Sequence, residues 1–192
     1  VSEEIKKSKI PPEASRVFKG IMFDVYHWQQ EMFDGTVQTF EYLKHPDTAM
    51  VLPVTPDKKI ILVRQEQPHR GEFMSIPGGV VDYGESIEDA AERELLEETG
   101  YRAEKLDFWY RKARGSKIDA CFNAFIGRGV TKVSDPRPDP GELTQVMTVN
   151  FDEFIDITMS EGFRDESLMI KVMRAKIYPE EMKVLKDMLF GK

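Results

Sequence analysis

At 192 residues and 41% hydrophobic composition, the chain is long enough for one ordinary domain with a sizeable core. Its net charge of −7, from 34 acids against 27 bases, argues against non-specific binding to nucleic acid, which rests on neutralised phosphates. No apolar run approaches the roughly 20 residues needed to cross a bilayer, and a single cysteine, Cys121, excludes an intrachain disulfide and a four-cysteine zinc site. The start, from Val1 to Ser15, is polar and lysine-rich, without the apolar segment of an export signal. A reducing cytoplasm, away from membranes, is the expected setting. The acidic balance would also repel a phosphate-bearing substrate, unless a bound divalent cation reverses the local charge.

In chain order, residues 1–15 read as a loose lead-in containing Pro11-Pro12. From Val17 to Trp28 and from Val37 to Leu43 the chain alternates and is rich in aromatic and β-branched residues, with the hairpin signal Asp34-Gly35 between. Ala49 to Val54 and Lys59 to Gln65 make a second strand pair, joined through Pro56-Asp57-Lys58. Phe73 to Val81 is a strand broken by Pro77-Gly78-Gly79, and Ser86 to Thr99 reads as a helix. Leu106 to Arg111, Ile118 to Phe125 and Leu143 to Phe151 are further strands. Phe151 to Ser160 and Glu166 to Ala175 carry apolar residues at helical spacing, and Glu180 to Leu189 follows Pro179 as a last helix. Strands with one internal helix, then helices alone, predict an α+β fold with helices covering a mixed sheet. His27, His45 and His69 are scattered without metal-ligand spacing and read as ordinary loop or strand residues.

The internal helix is bounded by residues with a physical reason to be there. Ser86 is a good N-cap, Asp89 stands where the acid of a capping box belongs, and Gly100 suits a left-handed C-terminal turn. At about 100° per residue, with Glu94 at zero, Glu97 falls near −60° and Glu98 near +40°. Ile87, Ala90 and Ala91 fall on the same side, whereas Asp89, Glu92 and Leu96 point away. Most glutamate-rich helices simply present a solvated face. Here the acids continue the stripe that must pack on the sheet, where crowded, unpaired charge is costly. Arg93 can neutralise one of them at most. A hard divalent cation with oxygen ligands is the natural occupant, and magnesium keeps waters that a phosphate can displace.

The stretch resembles the Nudix box, Gly-x5-Glu-x7-Arg-Glu-U-x-Glu-Glu-x-Gly-U with U apolar, at Gly79, Glu85, Arg93, Glu94, Leu95, Glu97, Glu98 and Gly100, and Tyr101 occupies the last U. The resemblance implies a Nudix hydrolase with an α/β/α sandwich around a mixed sheet. It implies that Glu94 and Glu98 are the core metal ligands, with Glu97 near a further ion and the Gly78 carbonyl facing a metal. Glu85 would hydrogen-bond Arg93 and hold the loop to the helix, and Gly79 would permit the tight loop. The cofactor implied is Mg2+, with Mn2+ as a substitute, acting on a phosphoanhydride bond.

Outside the box, three segments resemble the ADP-ribose and nucleoside-diphosphate-sugar pyrophosphatases: Val63-Arg64-Gln65-Glu66-Gln67-Pro68, Asp139-Pro140-Gly141-Glu142, and Gly162-Phe163-Arg164-Asp165-Glu166-Ser167. That branch implies hydrolysis of a nucleoside diphosphate sugar to a nucleoside monophosphate and a sugar phosphate. Glu142 would be the general base, with Asp139 and Glu153 as rivals. Gln67 stands where the branch has a phosphate-binding arginine, so Arg64, Gln67 and Arg114 are the candidate substrate contacts. Arg114 belongs to a basic patch with Arg111, Lys112 and Lys117. Residues 1–44 would be an N-terminal β-strand arm that dimerises, ahead of a catalytic domain at 45–192. Phe23 and Phe40 are the arm's candidates for stacking on the base, although aromatics on an alternating strand more often pack in a core. The expected partners are a nucleotide sugar and a second copy of the chain.

Two other enzyme readings are removal of pyrophosphate from nucleoside triphosphates and from RNA 5′ ends. Short triphosphatases lack an arm like residues 1–44, and the acidic balance disfavours RNA. A Nudix protein that senses a nucleotide without turnover is a reading of another class, and the complete set Glu94, Glu97 and Glu98 argues against it.

Overall fold

A computed structural model of the chain describes residues 8–68, 70–137 and 141–191. Its first elements form a separate sheet. β1 (Ser15–Lys19), β2 (Asp24–Glu31) and β3 (Val37–Lys44) run antiparallel, and the short β10 (Ile118–Asp119) adds in parallel to β3. The single alternating run expected from Val17 to Trp28 is two strands. It breaks at Gly20, whose N–H donates to the Phe23 carbonyl across a turn so tight that a Cβ on Gly20 would collide with that oxygen. The β2–β3 hairpin turns at Asp34-Gly35 as expected, with Gly35 at φ 81° and the Asp34 carboxylate accepting from the Thr36 N–H. The lead-in is tied down from Ser8 onward, because the Ser8 hydroxyl and Lys9 N–H both donate to Asp119.

The main sheet has seven strands in a mixed arrangement. Its path is β13 (Leu143–Val149), β5 (Ile60–Gln67), β4 (Thr48–Val54), β11 (Cys121–Arg128) and β9 (Lys105–Ala113). The pair expected between β4 and β5 meets only at Val54↔Ile60 and then splays. β7 (Gly78–Val80) runs along β4, and β6 (Arg70–Ser75) runs along β5. The broken strand from Phe73 to Val81 therefore serves two different partners, and Pro77-Gly78-Gly79 marks where the chain changes hands. The expected strand from Ile118 to Phe125 also divides, at Ala120, into β10 on the arm and β11 in the main sheet. Two further short strands, β8 (Tyr101–Arg102) and β12 (Thr131–Lys132), pair beside the sheet.

Helices cover both faces. α1 (Ile87–Thr99) buries Ala90, Ala91 and Leu95 against Ala49, Val51 and Phe125. On the other face α2 (Phe151–Thr158), α3 (Glu166–Ile177) and α4 (Pro179–Phe190) bury Phe154, Leu168 and Leu189 against Leu52 and Leu62. Adjacent residues of β4 and β5 feed opposite cores, as the two-residue period of a strand requires. The caps are local: Asn150 and Glu153 form a reciprocal capping box on α2, and Asp165 accepts from Ser167 and Leu168 at the start of α3. No helix among the described residues is long and apolar enough to cross a membrane.

His45 sits where the arm meets the sheet, 4% exposed, with the Phe23 ring 4.9 Å away and the Arg114 guanidinium 3.0 Å from its Nδ1. Burial lowers its pKa from the ordinary value, and Arg114 pushes the same way, although the Pro46 carbonyl opposes them. The folded state thus binds a proton there less readily than the unfolded chain. Stability from this site is full above the unfolded value of about 6.5 and is lost as pH falls below it. Urea unfolding at pH 7.5 and 5.5 should show that loss in the wild type and a smaller one in His45→Gln.

Candidate active site

The site is built where α1 crosses the Pro77-Gly78-Gly79 break. Ser86 caps the helix by accepting from the Asp89 N–H, and its hydroxyl donates to the Asp89 carboxylate instead of receiving that side chain on its backbone. At the other end Gly100, at φ 74°, donates to the Leu96 carbonyl, and a Cβ there would collide with the Ser134 carbonyl. Between these ends the face falls as its periodicity predicts for Glu98, which is 8% exposed, and for Glu94, whose side chain is 14% exposed. Glu97 lies at the rim with its side chain 47% exposed, and Glu92 is exposed on the far side.

Glu98 is the centre. Its Oε2 accepts from the Gly78 N–H at 2.9 Å, and its Oε1 accepts from the Gln65 amide at 2.5 Å. Burial pushes its carboxyl up to about 8, and the charges of Glu94 and Glu142 push the same way against those two donors. Glu94 lies flat against the backbone of Gly79, so closely that any Cβ on Gly79 would overlap its carboxylate. The missing Cβ at Gly79 is therefore what makes room for the Glu94 carboxylate.

Arg93 ties the loop to the helix. Its Nε and Nη2 donate to the two oxygens of Glu85 at 2.9 and 3.0 Å, and Nη2 also donates to the Val80 carbonyl. Its Nη1 reaches Glu94 at 2.7 Å and Glu97 at 3.2 Å. Glu85 in turn accepts from the Asp82 N–H, and Arg93 holds its carboxyl below the usual range. One guanidinium therefore fixes three carboxylates and a carbonyl, a planar multi-donor task that lysine cannot perform.

Glu142 approaches from the start of β13. Its Oε1 accepts from the Gln67 amide at 2.6 Å, and its charge is felt by Glu98. Glu153 lies in α2, beyond the other end of β13, and is held in the capping box, and Asp139 lies outside the described residues, as does His69. The remaining candidates are not gathered here. Arg64 is on the opposite face of β5 from Gln65 and is ion-paired with Glu72 at 2.7 Å. Arg114 contacts His45 and the Phe122 ring. The rest of the basic patch disperses: Arg111 pairs with Asp47, and Lys117 lies over the Phe40 and Tyr42 rings. Phe23 and Phe40 stand about five residues apart along the β2–β3 ladder, roughly 16 Å at strand rise. Phe23 packs on His45, whereas Phe40 packs on Trp28.

Gln65 is the functional residue that sequence reasoning passed over. Its signal was a polar side chain at a core-facing position, two residues after Val63 and four after Ile61, and such a group needs a partner. Among the described residues no three His, Cys, Asp or Glu side chains are gathered tightly enough to enclose an ion by themselves. Glu94 and Glu98 nevertheless fit a hard divalent cation through their all-oxygen donor set, with the remaining positions left for water and substrate oxygens.

A NUDIX domain model matches residues 44–169. The chain is 31% identical over 156 residues to an ADP-ribose pyrophosphatase of Bacillus subtilis, covering 78% of this chain and 83% of that protein. It is 42% identical over 117 residues to an ADP-sugar pyrophosphatase of Mus musculus, covering 55% and 54%. A crystal structure of an ADP compounds hydrolase superposes with a TM-score of 0.69 at 21% identity, over 91% of this chain and 97% of that one, and shares the fold. The chain belongs to the Nudix family and is a Nudix hydrolase, an enzyme class that works with a divalent cation.

The geometry separates Glu98 from Glu92. Glu98→Gln should lower turnover by on the order of 10³, and Glu92→Gln should leave it within about twofold. Steady-state kinetics on the two variants, with equal Tm as a folding control, checks this. Equal losses in both would refute the assignment of faces.

Proposed function

We propose that this enzyme hydrolyses the diphosphate bond of a nucleoside diphosphate sugar, giving a nucleoside monophosphate and a sugar phosphate. The observation that carries the reading is the buried Glu98 carboxylate at the Gly78 N–H, with Glu94 against Gly79 and with the charges of both Glu94 and Glu142 acting on it. The names of the two pyrophosphatase relatives support the sugar-nucleotide class, and the match to the first extends over most of both chains.

Glu94 and Glu98, with the Gly78 carbonyl and Glu97 at the edge, would hold magnesium, or manganese in its place. The cation would supply the positive charge that offsets an anionic diphosphate and stabilises the leaving phosphate. Glu142 removes a proton from the attacking water, whose oxygen bonds to one phosphorus as the bridging P–O bond breaks. The departing phosphate leaves with the bridging oxygen. A carboxylate not bound to the cation suits this role, because a ligand's lone pairs are already engaged. Arg93 and Glu85 do not touch the substrate and keep Glu94 and the loop in place. Phe23, Phe40, Arg64 and Arg114 would reach a bound substrate only by moving or through a second subunit.

The arm supports a homodimer. Phe18 and Ile21 expose large apolar side chains at one end of β2, at 60 and 105%, and Phe33 does so at the other, at 113%, and apolar exposure along the arm fits an interaction surface. Sedimentation of the full chain should give twice the chain mass, and a monomer at micromolar concentration would refute it.

A panel of sugar nucleotides, dinucleotides and triphosphates, assayed with magnesium for which bond breaks, tests the substrate class. Monophosphate products from an ADP- or GDP-sugar are expected, and more efficient release of inorganic pyrophosphate from triphosphates would overturn it. A chelator should abolish turnover while the far-ultraviolet circular dichroism is unchanged. Glu142→Gln should lower kcat by about 10²–10⁴ with little change in KM, and near-normal turnover would remove Glu142 from the mechanism.

A further inference from the structure

Two glutamines on β5 face the carboxylates. Strand alternation places Gln65 and Gln67 on one side, roughly 6.6 Å apart, with Glu66 and Arg64 on the other. Each donates its amide to a different acid: Gln65 to Glu98 at 2.5 Å, and Gln67 to Glu142 at 2.6 Å. The spacing of the two acids is thereby referred to a single rigid strand.

The surroundings of Gln67 suit this task. It is the last residue of β5, and the β5–β6 register shifts between Gln65 and Gln67, so Gln65 pairs with Phe73 and Gln67 with Arg70. The extra residue is on β6, so β5 keeps its alternation and the two glutamines stay on one face. On the other edge, the β13 register is regular and sets Leu143 opposite Glu66, which brings Glu142 alongside Gln67. Gly141, at φ 95°, makes the turn that delivers Glu142, and a Cβ on it would just touch the Pro68 ring. Among the described residues Gln67 is the only hydrogen-bond partner of the Glu142 carboxylate.

We propose that Gln67 is a positioning residue for the general base, holding Glu142 by one oxygen rather than contacting the substrate. The inference rests on the reading of Glu142 as base. A neutral amide is suited to the task because it fixes direction without a full opposing charge. A guanidinium or ammonium at the same distance would stabilise the carboxylate, lower its pKa and weaken it as a proton acceptor. An aliphatic side chain would leave Glu142 to sample orientations in which it misses the water, a loss that falls on kcat.

The test is a double-mutant cycle on the full chain, using the sugar nucleotide that the panel above shows to be best turned over. Gln67→Met keeps the length of the side chain and removes the donor. It should lower kcat about 10–100-fold, part of the range for general base assistance, with KM within about twofold. In the Glu142→Gln background the same substitution should have no further effect on kcat, because no base remains to be aimed. A raised KM with kcat unchanged, or an equal loss in both backgrounds, would overturn the inference and assign Gln67 to the substrate. If Glu142→Gln alone keeps near-normal turnover, the base reading itself fails and this role falls with it. The single variant Glu142→Gln thus separates the two failures.

Discussion

Burial of the Glu98 carboxylate organises the rest of this molecule. A charged group taken out of water costs several kcal/mol unless hydrogen bonds and opposite charge replace its hydration. The Gly78 N–H and the Gln65 amide meet part of that demand, and their positions dictate much else. The backbone must come close to the helix, which only glycine allows at 78 and 79, where a Cβ would strike β4 on one side and Glu94 on the other. The helix must stop and start in register, which Ser86 and Gly100 secure. The residual imbalance, with Glu94 and Glu142 both disfavouring the charged form of Glu98, is a standing attraction for a cation. A structure that only had to be stable would place leucine there.

The splaying of β4 from β5 is the architectural counterpart. If the two strands had paired along their length, no break would lie between them for the acids to face. Because β7 takes the edge of β4 and β6 takes the edge of β5, the chain between these strands passes close to α1, and the Gly78 N–H donates to Glu98. Both strands still alternate between two cores, so the sheet stays packed on both faces while its middle opens. Arg93 then closes the loop from outside, holding Glu85 and the Val80 carbonyl.

Much of this was legible in the chain. α1 is marked by its caps and its 3.6-residue stripe, and the continuation of acids along that stripe indicates a buried charged site. The hairpin at Asp34-Gly35 and the three C-terminal helices were equally plain, because turn chemistry and amphipathic periods are local. Where expectation and structure part, the cause is a chain that keeps its alternation while changing partners. Val17 to Trp28 alternates across the Gly20 turn, and Ile118 to Phe125 alternates across the switch from arm to main sheet at Ala120. Period two reports that a residue faces a surface, not which surface it is. The same limit applies to the substrate candidates: Arg64 and Gln67 lie in one short segment, yet they stand on opposite faces of β5 with different partners.

The sequence by itself determined the reaction class, because the metal-binding acids, their arginine and the glycines that admit them all lie within one loop and one helix. Their mutual geometry follows from the helix repeat and needs no knowledge of the fold. Only the tertiary structure decided which other groups join them. Gln65 and Gln67 lie 13 and 11 residues before Gly78, and Glu142 lies 42 after Gly100, and their approach depends on strand pairing and the register of β13. Pairing of distant strands is a property of the whole core. It leaves no local period to read, and so the two amides that hold the acids became visible only in three dimensions.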